Sequence, residues 1–252
     1  FNMTYNFTNI FPDVRHYKLI DSTNTEAKRY LSTDYSTVPM WFVADEQNAG
    51  KGRMGSSWVS SNGNLFCSLV CPINWNLKLM PMLSALVAVS IHETLKFFLK
   101  ESNEIKIKWP NDILVDNTKI SGALIENIIS GENKFSIIGI GININSSPKL
   151  EVYDTSHVNM YLDDNIKVND VFLKLKHILE KKINKFSDKT SDLIRVAMLK
   201  NAWKINENIN YISNSQEGNG IFKDVSEDYE IILKSDSGQV KLNSGELKIL
   251  RD

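Results

Sequence analysis

Three short segments carry side chains that could do chemistry. Gly50-Lys51-Gly52-Arg53-Met54-Gly55 sets three glycines, whose bare backbone N–H groups approach an anion closely, beside two cations. Such a loop suits a phosphate or carboxylate, although a solvated hairpin tip would look the same. It also satisfies the G-x-G-x-x-G pattern of dinucleotide loops, but such a loop must open a helix. Here SSWVSSNGNLFCSLV follows, turning at Gly63 and Asn64 into a strand, which argues against nicotinamide binding. The second segment, Lys108-Trp109-Pro110-Asn111-Asp112, is followed by Lys119 and Ser121-Gly122. Pro110 marks a strand end or bulge and holds Trp109 extended. Asn111 and Asp112 then sit at the strand end, and Lys119 and Gly122, beyond the next turn, could face the same cavity. An ordinary hairpin turning at Asp116-Asn117 is the plainer alternative. In the third, Gly139-Ile140-Gly141-Ile142-Asn143, two glycines at period two leave one sheet face bare. That is room for a flat ligand, or else a bulge or close strand packing.

The elements that must position these residues are legible from periodicity. From Ser22, STNTEAKRYL reads as an N-cap and a short helix with Ala27, Tyr30 and Leu31 on one face, ending near Tyr35. Residues 40–44 and 65–71 are short apolar runs bounded by Pro, Gly and Asn, which predicts buried strands. After Pro81, apolar residues at 83, 86, 87, 91, 95, 98 and 99 make a helical stripe with proline in its first turn. Segments 105–109, 113–115, 119–129 and 134–145 read as a strand meander, 148–165 as irregular, and 169–187 as a second long helix. Beyond Trp203, five short strands at regular spacing (NINYIS, GIFKDV, YEIILK, GQVKL and LKIL) predict a small barrel. A domain boundary is expected near 200, dividing 1–200 from 201–252.

At 252 residues, 42% hydrophobic and 23% charged, the chain is neither disordered, coiled coil nor fibrous. With 29 Lys and Arg against 30 Asp and Glu it projects no global positive field, so neither nucleic acid nor an anionic membrane is an expected partner. No apolar run approaches 18 residues and FNMTYNFTNIFPDVRHYKLI lacks a leader pattern, which predicts a cytoplasmic protein. Cys67 and Cys71, four apart in a strand, would lie about 13 Å apart on one face. They are expected to be core residues rather than a disulfide. The four histidines make no ligand spacing with them, so zinc is not expected.

Taken together, Ser22-Thr23-Asn24, the run Asp45 to Arg53, Trp58, the KWPND of 108–112, Lys119-Ile120-Ser121-Gly122 and GIGIN at 139–143 resemble the biotin protein ligases in order and spacing, over about 20–250. The resemblance implies an α+β fold: a mixed central sheet flanked by helices, like the class II synthetase-type catalytic domain of that family, followed by an SH3-like barrel. It also implies a two-step acyl transfer. Biotin and ATP, with Mg²⁺, give biotinyl-AMP, and a lysine of a biotin carboxyl carrier protein, such as the acetyl-CoA carboxylase subunit, then takes the biotin. Position by position, Ser22, Thr23, Asn24 and Gln47 would line the biotin pocket. Gly50, Lys51, Gly52 and Arg53 would form the loop over the acyl-phosphate, with Gly122, Gly139 and Gly141 beside it. Lys119 matches the family's essential lysine, serving both ligands. Asn111 and Asn143 match positions near the adenine, and Trp58 one that shields the nucleotide. Asp112 is the candidate for metal binding or for deprotonating the acceptor lysine. Lys51 and Met54 stand where the family commonly has arginines, lowering the loop's charge. With 21 residues before Ser22, the resemblance implies no DNA-binding repressor domain. The alternatives are a lipoate or octanoate ligase of the same fold, whose Arg-Arg-x-Ser-Gly-Gly-Gly type of loop is not seen, and a non-catalytic ligand-binding protein. A homodimer through a sheet edge is left open.

Overall fold

A computed structural model describes residues 13–33, 39–213, 216–236, 238–243 and 245–248. The leader reading of the first residues and the end of the LKIL strand fall outside these. Chain order is β1 (Asp13–Ile20), α1 (Thr23–Thr33), β2 (Met40–Gln47), β3 (Leu65–Pro72), α2 (Met80–Phe98), β4 (Ile105–Lys108), β5 (Asp112–Val115), β6 (Thr118–Ser130), β7 (Asn133–Ile142), α3 (Val168–Asn184) and α4 (Asp188–Lys200). Then come β8 (Asn208–Ser213), β9 (Gln216–Val225), β10 (Ile231–Ser235), β11 (Gly238–Leu242) and β12 (Glu246–Leu247).

The first seven strands form one mixed sheet, β1-β2-β3-β7-β6-β5-β4, in which β1 and β2 are parallel and the other pairs antiparallel. The expected meander is its β4 to β7 half. Asp116 and Asn117, at φ +47° and +63°, make the left-handed turn that short polar side chains tolerate and that matches hairpin twist. The last five strands form a separate antiparallel sheet, β11-β10-β9-β8-β12.

Helices cover both faces of the large sheet, which is why β3 is buried at every position. On one face, Leu65, Cys67, Leu69 and Cys71 join the main apolar cluster with α2, and α3 and α4 pack behind that helix. Both cysteines are free; burial pushes the Cys71 thiol up to about 12 and Cys67 higher still, so neither is a nucleophile at neutral pH. On the other face α1 lays Ala27, Tyr30 and Leu31 on Phe42, Val70 and Ile137. The small sheet shares the main core through Phe222, Val225, Ile231 and Leu233. It is bonded to the large sheet where the Trp109 indole donates to Tyr229 O (3.0 Å) and the Tyr229 hydroxyl donates to Pro110 O (2.6 Å).

Two elements were not anticipated. β1 is an exposed edge strand ordered chiefly by main-chain pairing with β2, so it lacks the apolar alternation that betrays a strand. Helix α4 buries Ile194 and Met198 while Leu193 and Val196 face solvent, too weak a period to read; its start is signalled instead by Thr190 Oγ1 accepting from Ser187 N–H at 3.0 Å. Among the described residues no helix is long and apolar enough to cross a membrane.

His92, buried on α2 with Nε2 donating to Ile105 O at 3.2 Å, is held below the usual histidine range by its burial. The folded chain therefore refuses a proton that the unfolded chain accepts as pH falls below about 6.5, and stability contributed above that value is lost on acidification. Between pH 7 and 5 the urea midpoint of the wild type should fall further than that of His92→Gln; equal falls would refute the assignment.

Candidate active site

On the α1 face of the large sheet lies a cavity of about 760 Å³. The start of α1, the end of β2, the 51–58 hairpin, the ends of β5 to β7 and the irregular segment Lys149 to Tyr153 enclose it, and Gly245 of the small sheet closes its rim.

One end is neutral and polar. Thr23 donates from its N–H (2.8 Å) and hydroxyl (3.2 Å) to Gln47 Oε1, and Gln47 Nε2 donates to Ser60 Oγ at 2.9 Å. The Ser68 hydroxyl lies 2.7 Å from Thr23 Oγ1 and 2.6 Å from Asn24 Oδ1. Asn24 Nδ2 donates to Glu126 Oε2 at 2.9 Å, and Lys28 pairs with the other oxygen at 2.6 Å. Burial works against the Glu126 carboxylate, but the bonds from Lys28 and Asn24 prevail and hold its pKa low. Thr23 and Asn24 are thus held in place by the protein's own bonds, and with Ser22 beside them they present amide and hydroxyl groups that match a urea or amide. Ser68 and Glu126, which complete this network, had not been anticipated.

The other end is cationic. Lys119 Nζ pairs with Asp112 at 2.9 Å, and Lys108 Nζ lies 3.8 Å from the same carboxylate. Lys108 is 2% exposed, Lys119 13% and Asp112 12%, so two ammonium groups share one carboxylate largely out of water. Tyr153 places its ring 5.2 Å from Lys119 Nζ and 6.0 Å from Lys108 Nζ. Burial works against the Lys119 charge, yet Asp112 and Tyr153 outweigh it and raise its pKa. Arg53 donates to Asn111 Oδ1 (3.2 Å) and Gly245 O (3.5 Å), while Asn111 Nδ2 is tied to Ala123 O. Lys51 and Gly52 belong to a true hairpin, Gly52 N–H donating to Ser56 O at 2.7 Å, whose tip residue Met54 is 87% exposed at φ +53°. The tip is solvated, and the same loop lines the cavity with Lys51 and Arg53. Asp112 lies where a dication would meet two ammonium groups, and no cluster of three or more metal-ligating side chains occurs among the described residues. That place does not fit a protein-held metal.

Three placements are set by the packing. The bare face of β7 is not empty. An added Cβ at Gly141 would come within 2.6 Å of the Trp58 ring, and one at Gly122 within 3.1 Å, so the indole lies flat on those two paired glycines. Gly139 makes room for the Asn24 amide in the same way. Asn143 lies outside the cavity, because β7 ends at Ile142 and the next residue turns from the face lined by 139 and 141; its Nδ2 donates to Ser156 O at 3.0 Å. Gly50 stands behind the wall, accepting from Trp58 N–H at 2.9 Å. Tyr153 and Lys108 are additional site residues. Tyr153 fell in a stretch read as irregular, and a backbone bridge between Lys119 and Thr155 is what brings it over the lysines.

The glycine packing predicts that Gly141→Ala loses about 1–3 kcal/mol by overpacking. The same substitution in a Trp58→Ala background should lose much less, since the clash is with that ring. Additive losses in urea titrations would count against the contact.

A model of the family described as Biotin/lipoate A/B protein ligase matches residues 17–143. A biotin–[acetyl-CoA-carboxylase] ligase of Paracoccus denitrificans is 29% identical over 237 residues, 90% of this chain and 96% of that one. A bifunctional ligase/repressor of Bacillus subtilis is 36% identical over 137 residues, 53% of this chain and 41% of its own length. The chain thus spans nearly all of the first relative and about two fifths of the second. The solved structure of the Aquifex aeolicus biotin protein ligase in complex with biotin and ATP has the same fold, with a TM-score of 0.78 at 24% identity, covering 95% of this chain and 99% of that one.

Proposed function

This chain belongs to the biotin/lipoate A/B protein ligase family, and we propose that it is an ATP-dependent biotin protein ligase acting on a biotin carboxyl carrier protein. The observation that carries this reading is one cavity with an amide and hydroxyl network at one end and Lys119 and Arg53 at the other. Biotin has the matching polarity, a ureido ring at one end and a carboxylate at the other. Its ring would bond Thr23, Asn24 and Gln47, and its carboxylate would extend toward Lys119.

In the first step a biotin carboxylate oxygen attacks the α-phosphorus of ATP, the bond to the β-phosphate breaks, and pyrophosphate leaves. Negative charge builds on oxygens held by Lys119 and by Arg53, whose fork suits a phosphate. Asn111 aims that fork from below. In the second step the acceptor lysine's neutral amine attacks the acyl carbon of biotinyl-AMP, AMP leaves with the bonding pair, and the nitrogen gives up a proton to solvent. Trp58, laid over the paired glycines, would screen the adenylate from water. Mg²⁺ enters with the triphosphate as part of the substrate. The carrier protein would approach over the hairpin tip and the 149–153 segment, which form the mouth of the cavity.

Magnesium-dependent ATP–pyrophosphate exchange with purified protein, comparing biotin, lipoate, octanoate and no acid, tests the reading. Exchange that requires biotin is expected. Exchange driven by lipoate or octanoate would move the chain to the sister specificity, and none with any acid would overturn adenylation.

A further inference from the structure

A second cavity, of about 450 Å³, opens on the far side of the molecule between α2, α3 and α4. Its floor is aliphatic: Val89 of α2, Ile178 of α3, and Ile194 and Ala197 of α4. One wall is cationic. Lys174 and Lys181 lie on one face of α3 with His177 between them, and Lys185 follows at the end of the helix. The single carboxylate in the lining, Glu93, is already paired with Lys182 at 2.9 Å. The opposite wall carries Leu193, 69% exposed. Phe97, 63% exposed, extends the apolar rim and sits 3.6 Å beneath the Lys174 ammonium.

This charge is local. Residues 167–200 hold nine Lys and Arg against four Asp and Glu, whereas the whole chain holds 29 against 30. The proposed ligase chemistry uses none of these residues, since its cavity lies across the sheet and helix α2.

The geometry points to a binding site for a small amphipathic anion, an aliphatic chain ending in a carboxylate or phosphate. The chain would lie on the floor formed by α2 and α4, and the head would meet the lysines of α3. The volume falls in the range of small-molecule cavities, about 300–1,000 Å³, and is short for the apolar face of a partner helix. A helix adsorbed to a membrane presents a convex apolar face between flanking lysines, whereas here the apolar surface is concave and its cations line one side. This inference does not depend on the reading of the other cavity.

Calorimetric titration of the full chain with decyl phosphate below its micellar concentration tests it, with inorganic phosphate and decanol as controls. Saturable one-to-one binding of decyl phosphate is expected, with each control at least about tenfold weaker because it supplies half of the match. Lys181→Glu with Lys185→Glu should weaken binding about tenfold or more through two reversed charges, and Ala197→Trp should abolish it by filling the floor. The double lysine variant, exposed at both positions, should keep wild-type circular dichroism; Ala197 packs against the main core, so the lysine pair carries the test if Ala197→Trp loses its fold. Decanol binding as tightly as decyl phosphate, or either variant binding as the wild type does, would overturn the site. A parallel sedimentation with phosphatidylglycerol vesicles separates the sources of the head group. Vesicle binding without binding of the free amphiphile would assign the face to a lipid surface and overturn the cavity.

Discussion

Lys119→Ala is expected to lower biotin-dependent pyrophosphate exchange by about 10²–10³-fold, the usual loss when a positioned donor to developing charge is removed. The same change should move the urea midpoint little. Lys119 sits at the cationic end of the cavity, 2.9 Å from Asp112, between the rings of Trp58 (5.5 Å) and Tyr153 (5.2 Å). Burial alone would lower its pKa; Asp112 and Tyr153 outweigh that and raise it, so the ammonium persists through neutral pH and beyond the ordinary lysine value. The stability linked to that raised pKa is fully present below the unfolded value and lost as pH climbs through the folded one. An alkaline decline of activity below about pH 10 must therefore come from other groups. Asp112 keeps Lys108 at 3.8 Å when Lys119 is truncated, which is why the fold should survive. Lys119→Arg should recover part of the rate by restoring the charge with a different reach. A variant that loses rate and stability together would make Lys119 a structural ion-pair member instead.

The hairpin that carries this chemistry was legible as far as its signals are local. Pro110 ends a strand and Asp116-Asn117 makes a left-handed turn, which brings Lys119 opposite Leu114, whereas a register shift between Ile113 and Leu114 that no local signal announces sets Asp112 opposite Gly122. The polar end was half legible: the start of α1 could be read from its cap, but Ser68 lies inside LFCSLVC, a run that reads as uniformly apolar. Its partners, Thr23 and Asn24, are more than forty residues away in the chain. Glu126 is similar, since Asn24 and Lys28 reach it from about a hundred residues off. The two glycines of β7 were correctly read as a bare face, but period-two spacing cannot say whether a ligand or the protein fills it. Trp58 does so from another strand connection, a choice made by tertiary packing. Asn143 enters by resemblance alone, as a position near the adenine; β7 ends one residue before it, and its Nδ2 donates to Ser156 O at 3.0 Å.

Asp112→Asn should be the most destabilising polar substitution in the site, by about 3–5 kcal/mol, because it leaves two buried ammonium groups without their shared carboxylate. The sequence alone suggested a different role, as a base for the incoming lysine. The two roles separate by experiment. A base that acts on the acceptor amine touches the second half-reaction, so its loss would leave pyrophosphate exchange and the urea midpoint intact and slow transfer from preformed biotinyl-AMP. A carboxylate that holds Lys119 and Lys108 in place serves both halves, so exchange and transfer should fall together with stability. We expect the second pattern, because Asp112 spends its charge on two lysines that are 2% and 13% exposed. Lys119→Met combined with Asp112→Asn should then be more stable than Asp112→Asn alone, since the ammonium that lost its carboxylate at 2.9 Å has gone with it, yet exchange should stay low because the cation is missing. Equal stability of the single and double variants would remove the shared-carboxylate account and return Asp112 to the role of base.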